Sequence, residues 1–223
     1  MEELLSSKLA IRGVLTAPQL DGAQRGTSLR EKIMTSGVES SQVSELEFRS
    51  AAETESPQGV LAIGEIPSHS LEQFSSRDSL RLLVLDGVQD PGNVGTIIRT
   101  ASALGADATV TLPGTVDPWN AKVVRGAMGA LFHHPVIHST ADELIAFLDR
   151  ENGELWGADT AGQPVDRTKA PDRLALAVGN EGAGLSSSLR ERVKGFVSLP
   201  ISSSVESLNV AVAAGILLYE LRK

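Results

Sequence analysis

From Leu80 onward, short apolar runs alternate with stretches whose apolar residues recur at helical spacing. RLLVLDGV, DATVTL, HPVIHS, ELWGAD and RLALAVG read as strands. Between and after them, PGNVGTIIRTASALGA, WNAKVVRGAMGALF, ADELIAFLDR and VESLNVAVAAGILLYELRK read as helices. Near-continuous apolar strands alternating with helices predict an α/β domain with a mostly parallel sheet covered on both faces. Residues 1–79 differ. Their periodicity is weak, turn signals occur at PQLDG and SPQG, and only GVLAIGEI reads firmly as a strand. The expected division is therefore a small or incomplete region over 1–70, a polar linker over 71–79, and the α/β domain over 80–223.

Composition narrows the picture. The chain has 223 residues, 41% of them apolar and 22% charged, as expected of a soluble globular protein. No apolar run approaches the ~20 residues of a membrane span, and the longest, near Val210 to Leu218, reads as a buried helix. The absence of cysteine excludes disulfides and thiolate chemistry and fits a reducing compartment. The acidic start MEELLSSKLA is not a secretory signal. The expectation is the cytoplasm, with an organelle as the alternative if a transit peptide has been removed. A net charge of −8 argues against a broad nucleic-acid surface but leaves room for a local basic site at Arg99, Lys122 and Arg125. His133 and His134 are adjacent rather than at ligand spacing, and with His138 they are expected on a strand, so no metal is expected.

Three loops carry candidate chemistry. In LDGVQDPGNVGTIIRTASALGA a glycine-rich turn enters a helix that Asn93 can cap and Gly105 can end. At about 100° per residue, Val94, Ile97, Ile98, Ala101 and Leu104 form one apolar stripe, and Arg99 falls opposite it. Arg99 is either a solvated helix arginine or a group reaching into a ligand crevice at the strand's carboxyl end. In LALAVGNEGAGLS a buried strand runs into Gly179, Gly182 and Gly184, a spacing that brings backbone close to a ligand. Glu181 is there as a capping acid or a functional carboxylate. In VSLPISSSVESLNVAVAAGILLYEL, Leu199, Pro200 and Ile201 form an apolar edge. Asn209 lies in the first turn of a helix packed with small residues and needs a hydrogen-bond partner, either backbone or substrate.

Taken together and in this order, the three loops resemble those of the SpoU/TrmH family of RNA ribose 2′-O-methyltransferases, within the knotted SPOUT class. The resemblance covers Leu80 to Lys223 and includes NAKVVRGAMGALFHHPV. It implies an α/β sheet with a C-terminal trefoil knot, a homodimer, S-adenosylmethionine as cofactor, and an RNA substrate, tRNA or rRNA. By motif position Asn93 and Arg99 match the first motif, Glu181 the second, and Ser207 and Asn209 the third. Cofactor contacts would fall at Val178, Gly179, Asn180, Leu199, Ile201 and Leu208. Ala211 departs from the serine of many relatives, beside an intact SLNV. Upstream, ESPQGVLAIGEIP resembles the tail of an L30e-like RNA-binding domain, of which the preceding stretch is too short for a complete copy.

Methyl transfer to a ribose oxygen is an in-line displacement that rests on alignment and on removal of the hydroxyl proton. The family gives its arginine the role of base. Guanidinium groups are poor bases, so the expected role of Arg99 is to clamp the hydroxyl and the neighbouring phosphate, with Glu181 and Asn93 fixing its geometry. Two other readings compete. A catalytically silent RNA-binding or assembly factor on the same fold fits the acidic charge. A nicotinamide-dependent oxidoreductase fits only the glycine-rich turns, and lacks the GxGxxG spacing and its downstream acid.

Overall fold

The structure, a computed structural model, describes residues 1–222 apart from Glu53 and Glu55. Glu55, which opens the ESPQG turn, and Lys223, the end of the last predicted helix, lie outside the described residues. The chain divides into two units, Met1–Pro67 and Ser68–Lys223.

The first unit contains α1 (Glu2–Ser6), β1 (Ile11–Thr16), α2 (Gln24–Thr35), β2 (Ser40–Gln42), α3 (Glu45–Ala51) and β3 (Val60–Gly64). Its sheet runs β2-β1-β3, with β2 parallel and β3 antiparallel to β1. Val14, Leu20, Leu29 and Ile33 form the core. Apart from β3, these elements carry little periodic signal. In α2 only Leu29 and Ile33 are buried, and all of β2 is exposed. The start of α3 has a local cause, a capping box in which Ser44 Oγ accepts from Glu47 N and the Glu47 carboxylate accepts from Ser44 N.

The boundary falls after Pro67, before the expected linker. Within that linker Leu71–Phe74 forms a 3₁₀ turn whose Leu71 and Phe74 are buried in one cluster with Leu144 and Phe147. Apolar side chains three residues apart dock the segment onto the rest of the second unit.

The second unit contains β4 (Leu80–Asp86), α4 (Pro91–Ala103), β5 (Ala108–Thr111), α5 (Ala121–Gly126), β6 (Val136–His138), α6 (Ala141–Arg150), β7 (Glu154–Pro164), β8 (Arg173–Gly179), α7 (Ser187–Arg190), β9 (Gly195–Ser198) and α8 (Val210–Leu221). The strand order is β6-β5-β4-β8-β7-β9, and every pairing is parallel. Alternate residues of β4 point to opposite faces. Leu83 and Leu85 join Ile97, Ile98 and Leu217 in one cluster, and Leu82 and Val84 join Leu144 and Phe147 in the other. Each such buried side chain contributes roughly 1.5–3 kcal/mol.

Four details depart from the pattern-based expectation. The helix expected over 119–132 ends at Gly126, because Met128 and Gly129 have φ of 51° and 92°, and a 3₁₀ turn follows at Ala130–Phe132. Strand β7 continues past Asp159 to Pro164 after an irregular step between Ala158 and Gln163. The last helix starts at Val210, five residues later than its apolar pattern suggests. That helix is buried along Ala211, Ala214, Leu217, Leu218 and Leu221, but Val212, Ile216 and Tyr219 are exposed on its other side.

Of the three histidines expected on a strand, only His138 lies in β6. His134 precedes it, is 5% exposed, and its Nε2 bonds Thr109 Oγ1 at 2.9 Å. Burial, helped by the neighbouring charge of His69, pushes its pKa down from 6.5 to about 4. Between these values the unfolded chain binds the extra proton, so this contribution is complete above pH 6.5 and is lost as pH falls toward 4. The loss is on the order of 3 kcal/mol. Urea unfolding from pH 7 to 4.5 should therefore show a shallower stability decline for His134→Asn than for the parent, and equal slopes would contradict the assignment.

Candidate active site

The neighbouring strands β4 and β8 end side by side, with Asp86 opposite Gly179. Their loops, and the segment leaving β9, open at the carboxyl edge of the sheet, where open α/β folds bind ligands.

The first loop is built on a cap. Asp90, not Asn93, is the N-cap of α4: its Oδ1 accepts from Asn93 N at 2.7 Å, and Pro91 occupies the first helical position. This leaves the Asn93 side chain free. Its Nδ2 donates to Glu181 Oε1 at 3.0 Å, and its Oδ1 accepts from Asn209 Nδ2 at 2.9 Å. Asn209, expected inside the last helix, is its N-cap, with Oδ1 accepting from the amides of Ala211 and Val212 at 2.9 and 3.3 Å. A carboxylate can only accept, so Glu181 forces the orientation of Asn93, which in turn fixes that of Asn209. The three loops are thus joined by one directional hydrogen-bond chain.

Glu181 also receives the amides of Asp90 and Gln89, at 3.3 and 3.4 Å. Partial burial works to raise its pKa, but the bonds from Asn93 and the backbone outweigh it and hold the carboxyl below its ordinary value.

The glycine loop is held by Asn180. Its Nδ2 donates to Gly87 O at 2.9 Å, and its Oδ1 accepts from Gly182 N and Ala183 N, both at 3.0 Å. The side chain expected to meet a cofactor is therefore committed to the turn. Gly179 is required sterically, since a Cβ there would overlap the Gly184 backbone. Buried Asp86 closes the far end, its Oδ2 accepting from Ser186 N at 2.7 Å. In the sequence Asp86 is legible only as an acid terminating an otherwise apolar strand.

Arg99 is exposed and lies outside this chain, so Asn93 and Glu181 do not hold it. It stands one turn beyond Gly95, which packs against α5. The two helices touch closely there: a Cβ on Gly95 would stand 2.8 Å from Val123 O and 2.9 Å from Gly126 Cα.

Val178 is buried, and Leu199 packs on the same cluster. Ile201 is half-buried, Leu208 is 37% exposed, and Ser207 is exposed. In this third loop the amides of Ser204 and Val205 are bonded to Ser202, whereas those of Ile201 and Leu208 have no partner among the described residues. Apolar side chains beside unengaged amides suit a flat heteroaromatic ligand. A cavity of about 520 Å³ lies elsewhere, at the opposite end of β4 and β8 between Arg81, Leu104, Leu174 and Leu221. It contains none of Asn93, Arg99, Glu181 and Asn209.

Comparison with known proteins identifies the family. Residues 81–219, from β4 to α8, match the model of the SpoU rRNA Methylase family. The chain is 40% identical over 190 residues to the 23S rRNA (guanosine(2553)-2′-O)-methyltransferase RlmP of Bacillus subtilis, covering 85% of this chain and 75% of that protein. It is 38% identical over 151 residues to the 23S rRNA (guanosine-2′-O-)-methyltransferase RlmB of Escherichia coli K12, covering 66% and 61%. The crystal structure of the SpoU methyltransferase AviRb from Streptomyces viridochromogenes in complex with AdoMet superposes with a TM-score of 0.87 at 30% identity, covering 98% and 84%. The AdoMet-bound rRNA methyltransferase from Sinorhizobium meliloti gives a TM-score of 0.84 at 27% identity, covering 99% and 84%. From the first strand of its parallel sheet to its last helix, the chain belongs to the SpoU rRNA methylase family.

Proposed function

We propose that the chain is an S-adenosylmethionine-dependent ribose 2′-O-methyltransferase acting on 23S rRNA. The observation that carries this reading is the Glu181–Asn93–Asn209 chain, which unites the three family loops at the carboxyl edge of the sheet. S-adenosylmethionine, when bound, supplies the methyl group on a sulfonium. Val178, Leu199, Ile201 and Leu208 would hold its apolar surface, and the amides of Ile201 and Leu208 its polar edge. Gly179 and Asn180 would act through backbone and loop shape.

Arg99 orients the ribose hydroxyl and the adjoining phosphate with its planar fork, and the hydroxyl proton leaves to that phosphate or to water. Ser207 is exposed beside Asn209 and is available to the same substrate. The C-terminal trefoil knot and the partial L30e-like character of the first unit belong to this reading. So does a homodimer: Val212, Ile216 and Tyr219 are 50%, 40% and 50% exposed along one side of α8, a stripe that a second copy would cover.

With labelled S-adenosylmethionine and unmodified 23S rRNA, the protein should label one ribose 2′-oxygen. Arg99→Lys should lose roughly a hundredfold in rate through lost alignment while binding the cofactor within about twofold of the parent. Cofactor binding without transfer to any RNA would favour the silent RNA-binding factor, and near-normal transfer by Arg99→Lys would remove the clamp. In sedimentation velocity, Ile216→Glu should run at half the mass of the parent. A parent that is already monomeric would overturn the dimer.

A further inference from the structure

Several arginines of the second unit are neutralised: Arg77 pairs with Asp107, Arg150 with Glu72, Arg173 with Glu151, Arg190 with Asp159 and Arg192 with Asp142. Arg99, Lys122 and Arg125 form no ion pair or side-chain hydrogen bond among the described residues. The latter two are three residues apart on α5 and exposed, and Met128, also exposed, follows two residues beyond the end of the helix. The close packing of Gly95 against Val123 and Gly126 holds α5 against α4 one helical turn before Arg99. In a chain of net charge −8, uncompensated cations gathered on two touching helices form a local site for polyanion.

Met128 adds a second signal. It is 67% exposed and has a φ of 51°, a left-handed conformation that an L side chain adopts at a cost, directly before Gly129 at 92°. A methionine held this way presents a large, adaptable apolar surface to solvent just past the helix that carries Lys122 and Arg125.

We infer that Lys122, Arg125 and Met128 form an RNA track beside the reactive nucleotide. Lys122 and Arg125 bind consecutive phosphates of the strand whose ribose Arg99 orients, and Met128 packs against an unstacked base of that strand. This inference rests on the reading of the chain as an RNA methyltransferase and extends it to recognition. Phosphate contacts set register, and the apolar contact favours a base that is free to leave its stack.

The test measures filter binding of unmodified 23S rRNA across a salt series, with calorimetric S-adenosylmethionine binding as a control. Lys122→Ala/Arg125→Ala should weaken RNA binding and flatten the slope of log K against log salt by about 0.7 for each phosphate no longer neutralised, leaving cofactor affinity unchanged. Met128→Gly is the discriminating variant. Glycine suits the left-handed backbone, so thermal stability should hold or rise while RNA binding weakens several-fold with the salt slope unchanged. A parent-like affinity and slope in the double alanine variant, together with RNA methylation by the parent, would overturn the track while leaving the methyltransferase reading intact. If the parent neither binds nor methylates RNA, both readings fall.

Discussion

The interaction on which the site depends is the hydrogen bond from Asn93 to Glu181. Because the carboxylate can only accept, it sets the direction of every bond that follows: Asn93 turns its oxygen to Asn209, and Asn209 turns its own oxygen to the first amides of α8. Three segments separated by up to 116 positions in sequence are thereby held in register. Charge-assisted bonds are about twice as strong as neutral ones, and the lowered pKa of Glu181 keeps the group that orders the chain ionised. The exposed third loop, with few internal hydrogen bonds, depends on this tie for its position.

Around that chain the remaining loop residues act by shape. Asn180 and Asp86 use their side chains to close the glycine loop onto the end of β4, and Gly179 is fixed by the closeness of the Gly184 backbone. Gly95 does for the helices what Gly179 does for the loop, letting backbones touch where a Cβ would intrude. Arg99 stands apart from this rigid part, on a solvent-facing side of α4. Under the proposed function this separates two binding tasks: the loops are closed by their own hydrogen bonds, and the arginine is left to meet the RNA.

Much of the second unit is legible in sequence because its strands are buried on both faces and its helices on one. The spans of RLALAVG and ADELIAFLDR coincide with β8 and α6, and Arg99 lies opposite the apolar stripe of α4 as the wheel requires. The first unit is largely illegible: α2 buries two side chains and β2 none, so neither leaves a periodic trace. At the site, the residue types are readable but their partners are not. Asn93 reads as a cap because Asp90, three positions earlier, reads as part of a turn. Asn209 reads as helical because the apolar pattern starts before the helix does. Asn180 reads as free for a ligand because the carbonyl that engages it, Gly87 O, lies 93 positions away in sequence.

The central claim, that Glu181 orders the loops through Asn93 and Asn209, is tested most directly by a double-mutant cycle read as S-adenosylmethionine affinity. Asn93→Asp cannot donate to Glu181 and places two carboxylates together, so affinity should fall by about tenfold or more. Adding Glu181→Gln supplies a donor to the new carboxylate at position 93 and should restore most of that loss, a coupling of roughly 1–3 kcal/mol. Losses that simply add in the double variant would contradict the account.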